Sequence, residues 1–279
     1  MMKCICNVYK KFKKNQPVIA WVNLYGVIGG SSKLSSNITF DSVHESIEQA
    51  FTLPKVKTVV VSVNSPGGSP VQSELIFNYI KELSAKHKVP VLTVAEDVAA
   101  SGGYFILCAG DEIFASNNSI IGSIGVISAG FGLHETIKKL GVERRIYTQG
   151  NNKSILDPFL PEKSSDIDII KSVQKDIYES FKDIVLSSRG DKLDIDHDKI
   201  FSGEFWSGKT AISLGLIDST KSIRIVLKER FGEDLKIMKV SKPKSWLKRT
   251  LGVSSIAENL VEALSAKLEL KLLLSKFGL

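Results

Sequence analysis

Apolar residues recur along this chain with two different periods. Val18–Tyr25 is apolar and β-branched up to Gly26, which predicts a strand. Over Asp41–Phe51 the period changes. Val43, Ile47 and Phe51 recur every fourth residue, as on one face of a helix, and Pro54 ends the run. Lys57–Val63 predicts a second strand, with the continuous apolar character of one buried on both faces. Val71–Ala85 predicts a helix with Leu75, Tyr79 and Leu83 along one side, and Val91–Ala95 a third strand. A helix is expected to begin near Ser101, followed by short strands at Glu112–Ala115 and Ser123–Ile127. His134–Leu140 predicts a helix, Glu143–Thr148 a strand, Ser164–Ser188 one long helix and Ser207–Leu214 a short one. A Leu-rich helical stretch, Ser254–Phe277, follows a linker at Val240–Trp246. Strands alternating with helices predict an α/β fold with parallel pairing and right-handed crossovers. There is no internal duplication, because the Ser-Pro-Gly-Gly and Ser-Gly-Gly motifs each occur once.

A chain of 279 residues can bury a sizeable core. Its formal charge of +7 is concentrated at Lys10–Lys14 and Lys236–Arg249. Neither cluster carries interleaved aromatics or a nucleic-acid motif, so nucleic acid is set aside as a partner. Cys4, Cys6 and Cys108 form no C-x-x-C pair and no repeated metal spacing, which argues against a disulfide scaffold and fits a reducing compartment; Cys4 and Cys6 could ligate a metal or carry a lipid, but two terminal thiols without partners are a weak sign of either. No window reaches the roughly 18 apolar residues of a spanning helix, and the N-terminal order is wrong for a secretory signal. A cytoplasmic protein, or one peripheral to a membrane, is expected.

Two Gly-rich turns follow predicted strands: Ser65-Pro66-Gly67-Gly68-Ser69, and Ala99-Ala100-Ser101-Gly102-Gly103-Tyr104. In open α/β sheets reactive groups gather beyond the carboxyl ends of strands. Glycines there let a substrate approach the backbone and present N–H groups to a developing oxyanion. A serine at the start of a helix gains from the positive end of the helix dipole. One such turn alone is more often a tight connection with no chemistry; two after neighbouring strands can each supply half of an acyl-transfer site. The serine needs a base. Of the four histidines, His44 and His87 sit on charged helical faces and His197 in an Asp-rich loop, which leaves His134 as the imidazole candidate. A lysine also serves if burial keeps it neutral. Lys153, in Gly150-Asn151-Asn152-Lys153-Ser154, is followed by apolar Ile155, Leu156, Pro158 and Phe159.

At these residues the sequence resembles the signal peptide peptidase A family of Ser–Lys peptidases, peptidase family S49. The matching pieces run in order: Asn64–Gly68, Ala99–Tyr104, Gly122–Val126, Lys153 leading into Leu156-Asp157-Pro158-Phe159, and Phe205–Lys209 with Ala211 and Leu214–Asp218. The resemblance covers roughly residues 18–235. It implies that Ser101 is the nucleophile and Lys153 the general base. It further implies that the Gly68 N–H binds the oxyanion and that Ser123 orients the lysine amine. It implies the fold shared by Clp protease and crotonases, a superhelix of ββα units, here with additional C-terminal helices. No cofactor or metal is required. Expected partners are peptide substrates, such as remnant signal peptides and unfolded membrane-derived segments, and further copies of the chain in a ring-like homo-oligomer. The expected organisation is a basic tail over 1–16, a peptidase domain over 17–238, and a linker with an amphipathic helix over 239–279. In that helix Leu260, Leu264, Leu268 and Leu272 would face a neighbouring subunit or, peripherally, a membrane. Many family members carry an N-terminal membrane anchor, and none is expected in this chain.

Three other readings compete. A crotonase-type acyl-CoA enzyme would build its oxyanion hole from the same turns, but would need neither Ser101 before Gly-Gly nor Lys153. A Clp-like peptidase would use His134 as base. A non-catalytic scaffold would bind apolar peptides without turnover.

Overall fold

The computed structural model describes residues 16–30, 37–193, 197–241, 274–275 and 277. The chain forms two compact units, one built from residues up to Ile124 and from Ile184 onward, the other from Gly125–Asp183. The expected N-terminal tail lies outside the described residues apart from residue 16, as does the Ser254–Phe277 helix apart from three positions near its end.

The elements in chain order are β1 (Val18–Tyr25), α1 (Phe40–Thr52), β2 (Val56–Ser65), α2 (Pro70–His87), β3 (Val91–Ala100), α3 (Gly102–Leu107), β4 (Glu112–Phe114), β5 (Ile120–Gly122), α4 (His134–Lys139), α5 (Ser164–Arg189), α6 (His197–Ile200), β6 (Phe205–Ser207), α7 (Gly208–Ser213), α8 (Ile223–Phe231) and β7 (Lys236–Val240). In the first unit one sheet is ordered β6-β5-β3-β2-β1-β7, with β4 also paired to β3. Every pairing is parallel except β5 with β6.

The centre of the sheet is where the continuous apolar run predicted it. Val59, Val60, Val61 and Val63 of β2 are fully buried, flanked by β1 and β3. On one face Ile19, Trp21, Val60, Leu92 and Phe114 pack against Ile223, Val226 and Leu227 of α8. Ile47 and Phe51 of α1 are buried as their spacing predicts. The helix starts at a reciprocal cap: the Ser42 N–H donates to Thr39 Oγ1 (3.2 Å) and the Thr39 N–H to Ser42 Oγ (2.9 Å).

Three expectations change. The buried face of α2 is Ile76, Phe77, Ile80 and Leu83, whereas Leu75 is exposed. The two stripes share Leu83 and otherwise lie one residue apart, so packing, not spacing, selects between them. The strand expected at Ser123–Ile127 lies earlier, as β5. Gly122 (φ +111°) and Ser123 (φ +55°) enter the left-handed region, where a strand cannot continue. Glu143–Thr148 is irregular and mostly exposed in the second unit. Among the described residues no strand pairs with it, and a β-prone segment makes no strand without a partner for its backbone groups.

In that second unit Arg144 donates to Asp157 (3.0 Å) and lies over the Phe159 ring at 5.5 Å. The buried Asp166 accepts from the Leu156 N–H at 3.3 Å, which anchors the segment that follows Lys153. Helix α5 begins here, and its last residues belong to the first unit.

Candidate active site

Two Gly-rich turns meet beyond the carboxyl ends of β2 and β3. Gly67 (φ +105°) and Gly68 (φ +143°) follow β2, and Ser101, Gly102 and Gly103 follow β3. They approach so closely that side chains are excluded. A Cβ on Gly67 would lie 2.7 Å from Ser101 Cβ, and one on Gly103 would lie 2.8 Å from the Ser65 carbonyl oxygen. One on Gly102 would lie 3.5 Å from the Gly68 nitrogen and would collide with Ser73 Oγ. This is the close backbone approach that glycine alone permits.

Ser101 is held at φ +51° and ψ −122°, a conformation rare for any residue with a side chain. Such strain is of order 1–3 kcal/mol and persists only where the surroundings over-determine it. Here they do. The Ser101 N–H donates to the Gly122 carbonyl at the end of β5 (2.8 Å), and its carbonyl accepts from the Phe105 N–H in α3 (3.0 Å). Gly122 is pinned in turn, because a Cβ there would lie 2.8 Å from the Trp206 ring. Ser101 is half-buried and its neighbours Gly102 and Gly103 are buried.

The Gly67–Ser69 turn is fixed by backbone pairing with Ile28. The Ile28 N–H donates to Gly67 O (2.9 Å) and the Ser69 N–H to Ile28 O (2.7 Å). The Gly67 N–H is satisfied by Ser65 Oγ at 3.1 Å. Among the described residues, neither the Gly68 N–H nor the Gly102 N–H has an acceptor. Two unfilled donors beside one serine hydroxyl can receive the oxygen of a carbonyl under attack.

Of the residues singled out from sequence, the first unit therefore brings together Gly68, Ser101 and Ser123. Ser123 directly follows the carbonyl that holds Ser101, and its own N–H donates to Glu204 O at 2.6 Å. Lys153 belongs to the second unit, in a turn where its N–H donates to Gly150 O (3.2 Å), and its side chain is exposed. His134 belongs to that unit too, at the start of α4, with Nε2 3.3 Å from the Glu135 carboxylate. The sequence reading included Ser65 and Trp206 in its motifs but gave them no role; Ser65 caps the Gly67 turn and Trp206 covers Gly122. For the first, the signal was its place at the end of a valine strand, directly before Pro66-Gly67-Gly68. The second comes from β6, far along the chain. Among the described residues no three His, Cys, Asp or Glu side chains converge as a metal site would.

Residues 84–233 match the family model of peptidase family S49, and residues 30–124 match that of Clp protease. Ser101 falls within both. A Na(+)/H(+) antiporter NhaA from Brucella abortus is 42% identical over 97% of this chain and 38% of its own length. The chloroplastic serine protease SPPA of Arabidopsis thaliana is 33% identical over 69% of this chain and 28% of its own. The chain thus spans well under two thirds of the length of these curated relatives. Among solved structures, a variant of a membrane-bound stomatin-specific protease covers 82% of this chain and 100% of its own, at 14% identity and a TM-score of 0.48.

Proposed function

Because the chain belongs to peptidase family S49, we propose that it is a serine peptidase in which Ser101 attacks the scissile carbonyl and Lys153 is the general base. Its α/β fold is the Clp-like one that the resemblance implied. The observation that carries the reading is Ser101 itself, a serine forced into a conformation suited to glycine, beside two backbone donors without acceptors. Nothing in the packing of the turn requires a hydroxyl there, so the strain is best explained by chemistry at Oγ.

In the proposed reaction Lys153 Nζ takes the Ser101 hydroxyl proton as Oγ bonds to the carbonyl carbon. The carbonyl oxygen, now negative, is received by the Gly68 N–H, with Gly102 as a second donor. Collapse breaks the C–N bond, and the amine leaves with the proton from Lys153. Water then attacks the acyl-enzyme, giving its proton to Lys153, and Ser101 is regenerated. Ser123 orients the lysine amine. A lysine accepts a proton only when neutral, and withdrawal from water favours that form. Lys153 is exposed in the single chain, so the reading requires peptide binding or assembly to exclude water from it. This ties the mechanism to self-association into a ring. The proposed substrates are apolar peptides such as remnant signal peptides or unfolded membrane-derived segments, met in the cytoplasm or at a membrane surface. Antiport is not proposed for this chain; among the described residues no helix is long and apolar enough to cross a membrane.

The test is cleavage of a fluorogenic peptide with an aliphatic residue before the scissile bond, across pH, for wild type, Ser101→Ala, Lys153→Ala and His134→Ala. Loss in the first two variants, with His134→Ala active, is expected. An active Lys153→Ala with a dead His134→Ala would replace the dyad by a Clp-like mechanism. A folded wild type that cleaves nothing would favour a peptide-binding scaffold.

A further inference from the structure

β3 carries more residues than β2 between their matched pairs. Val63 faces Ala95 and Ser65 faces Ala99, so Asn64 alone stands opposite Glu96, Asp97 and Val98. At this bulge β3 also changes its other neighbour: Leu92–Val94 pair with β4, and Val98–Ala100 pair with β5. A bulge interrupts the ladder and re-aims the strand beyond it. The strand beyond this one ends at Ser101.

Side chains take up the groups that the interrupted ladder leaves. Asn64 Oδ1 accepts from the Val98 N–H (3.2 Å), and Asn64 Nδ2 donates to Asp97 Oδ2 (2.8 Å). Ser119 Oγ donates to the Glu96 carbonyl at 2.5 Å. Ser62 Oγ and the Tyr25 hydroxyl each donate to Glu96 Oε1 at 2.6 Å. Burial first, and then the Glu96 carboxylate, push the Tyr25 hydroxyl up to about 12, so it stays a donor throughout the neutral range. The bulge is therefore clamped on both sides; Ser62 and Asn64 both belong to β2, the strand that leads into the Gly67–Gly68 turn, and of the two Asn64 stands nearer that turn and holds the Val98 backbone.

We propose that Asn64 is a positioning residue for the Ser101 centre: its carboxamide clamps the β3 bulge and so fixes the Gly68 N–H in register with Ser101. This rests on Ser101 being the nucleophile. Asn64 directly precedes Ser65, whose hydroxyl caps Gly67, while Val98 leads through Ala99 and Ala100 to Ser101. One side chain thus couples the two turns at their roots. The role needs both an acceptor and a donor on one short side chain. Aspartate would keep the acceptor for Val98 but set a second carboxylate against Asp97. Alanine would leave the Val98 N–H without its partner, in a strand where Val98 is fully buried.

The experiment compares wild type, Asn64→Ala, Asn64→Asp and the double variant Asn64→Asp/Asp97→Asn. In the double variant donor and acceptor trade places, so that the new amide at position 97 would donate to the new carboxylate at position 64. Peptide hydrolysis is measured together with amide hydrogen exchange resolved to segments 65–69, 98–102 and 18–25. Asn64→Ala and Asn64→Asp are expected to lower kcat by about 100-fold, the effect of a misplacement near 1 Å, with KM changed less than about twofold. Exchange should quicken in 65–69 and 98–102 but not in 18–25. The double variant should recover both kcat and protection, which a side chain needed only for folding would not show. Unchanged kcat and protection in Asn64→Ala, or a double variant no better than Asn64→Asp, would overturn the proposal. If wild type proves inactive, the peptidase reading falls, and the hydrogen-exchange pattern alone decides whether Asn64 couples the turns. If Asn64→Ala does not fold, Asn64→Asp and the double variant decide it.

Discussion

Replacing Gly67 by alanine tests whether the two turns really meet backbone to backbone. The new Cβ would lie 2.7 Å from Ser101 Cβ, 2.9 Å from the Ala100 carbonyl oxygen and 3.0 Å from the Gly102 nitrogen. Carbon atoms pack at about 3.5–4.0 Å, so Ser101 or the Gly67 turn must retreat by roughly 0.8 Å or more. Neither can do so freely. Retreat of the Gly67 turn pulls on the bond between Gly67 O and the Ile28 N–H, and retreat of Ser101 pulls on that between its N–H and Gly122 O. The variant also keeps φ +105°, which strains any residue with a Cβ. Strain of about 1–3 kcal/mol and overpacking of about 1–3 kcal/mol predict a loss of roughly 3 kcal/mol in unfolding free energy. Displacement of the nucleophile by most of an ångström predicts a 10- to 100-fold fall in kcat, by the scale of about 100-fold per ångström. Urea unfolding and peptide hydrolysis measure the two. Gly232→Ala is the control, because Gly232 has φ +87° but no atom within 4 Å of its absent Cβ. It should lose about 1 kcal/mol and no activity. A Gly67→Ala protein as active and as stable as Gly232→Ala would refute the close approach on which the site is built.

Ser101→Gly should abolish hydrolysis yet raise the unfolding free energy by about 1 kcal/mol, because glycine relieves the strain at φ +51°; a destabilised variant in urea unfolding would count against stored strain. Asp218→Asn should cost about 3 kcal/mol in the same assay, since it leaves the almost fully buried Arg189, now 2.7 Å from Asp218, without its counter-charge. Burial opposes the Asp218 carboxylate, but hydrogen bonds from Arg189, Lys192 and the Ile113 N–H outweigh it and hold its pKa below the ordinary value. That depressed folded pKa supplies stability that is present above the unfolded-state value of about 4 and lost as pH falls through the folded one. Wild type should therefore lose stability on acidification below about pH 4, and Asp218→Asn should show a shallower slope there. Burial pushes the Cys108 thiol up to about 12, so iodoacetamide at pH 8 should label it only after unfolding; prompt labelling of the native protein, located by peptide mapping, would contradict its burial.

Much of the first unit was legible because its signals are local. A short run of β-branched valines bounded by turn residues reads as the buried strand β2, and the spacing of Val43, Ile47 and Phe51 places α1. The paired Gly-rich turns were legible as well, since a backbone that must approach another closely, or run at positive φ, requires glycine wherever it occurs. Spacing failed where local chemistry permits two answers. Leu75 and Ile76 are equally apolar, and contact with the rest of the unit chose the face containing Ile76. Glu143–Thr148 carries β-formers in Ile146, Tyr147 and Thr148, but a strand is a property of a pair.

The sequence by itself determined the kinds of group available to the site: the glycine turns, the serine between them, and a lysine and a histidine further on. Only the tertiary structure decided that Ser101 sits at φ +51°, that Gly122 and Trp206 hold it there, and that Asn64 spans the bulge to reach Val98. These are contacts between strands distant in sequence. Their geometry is set by how the sheet registers and bulges, and no single stretch of residues encodes that.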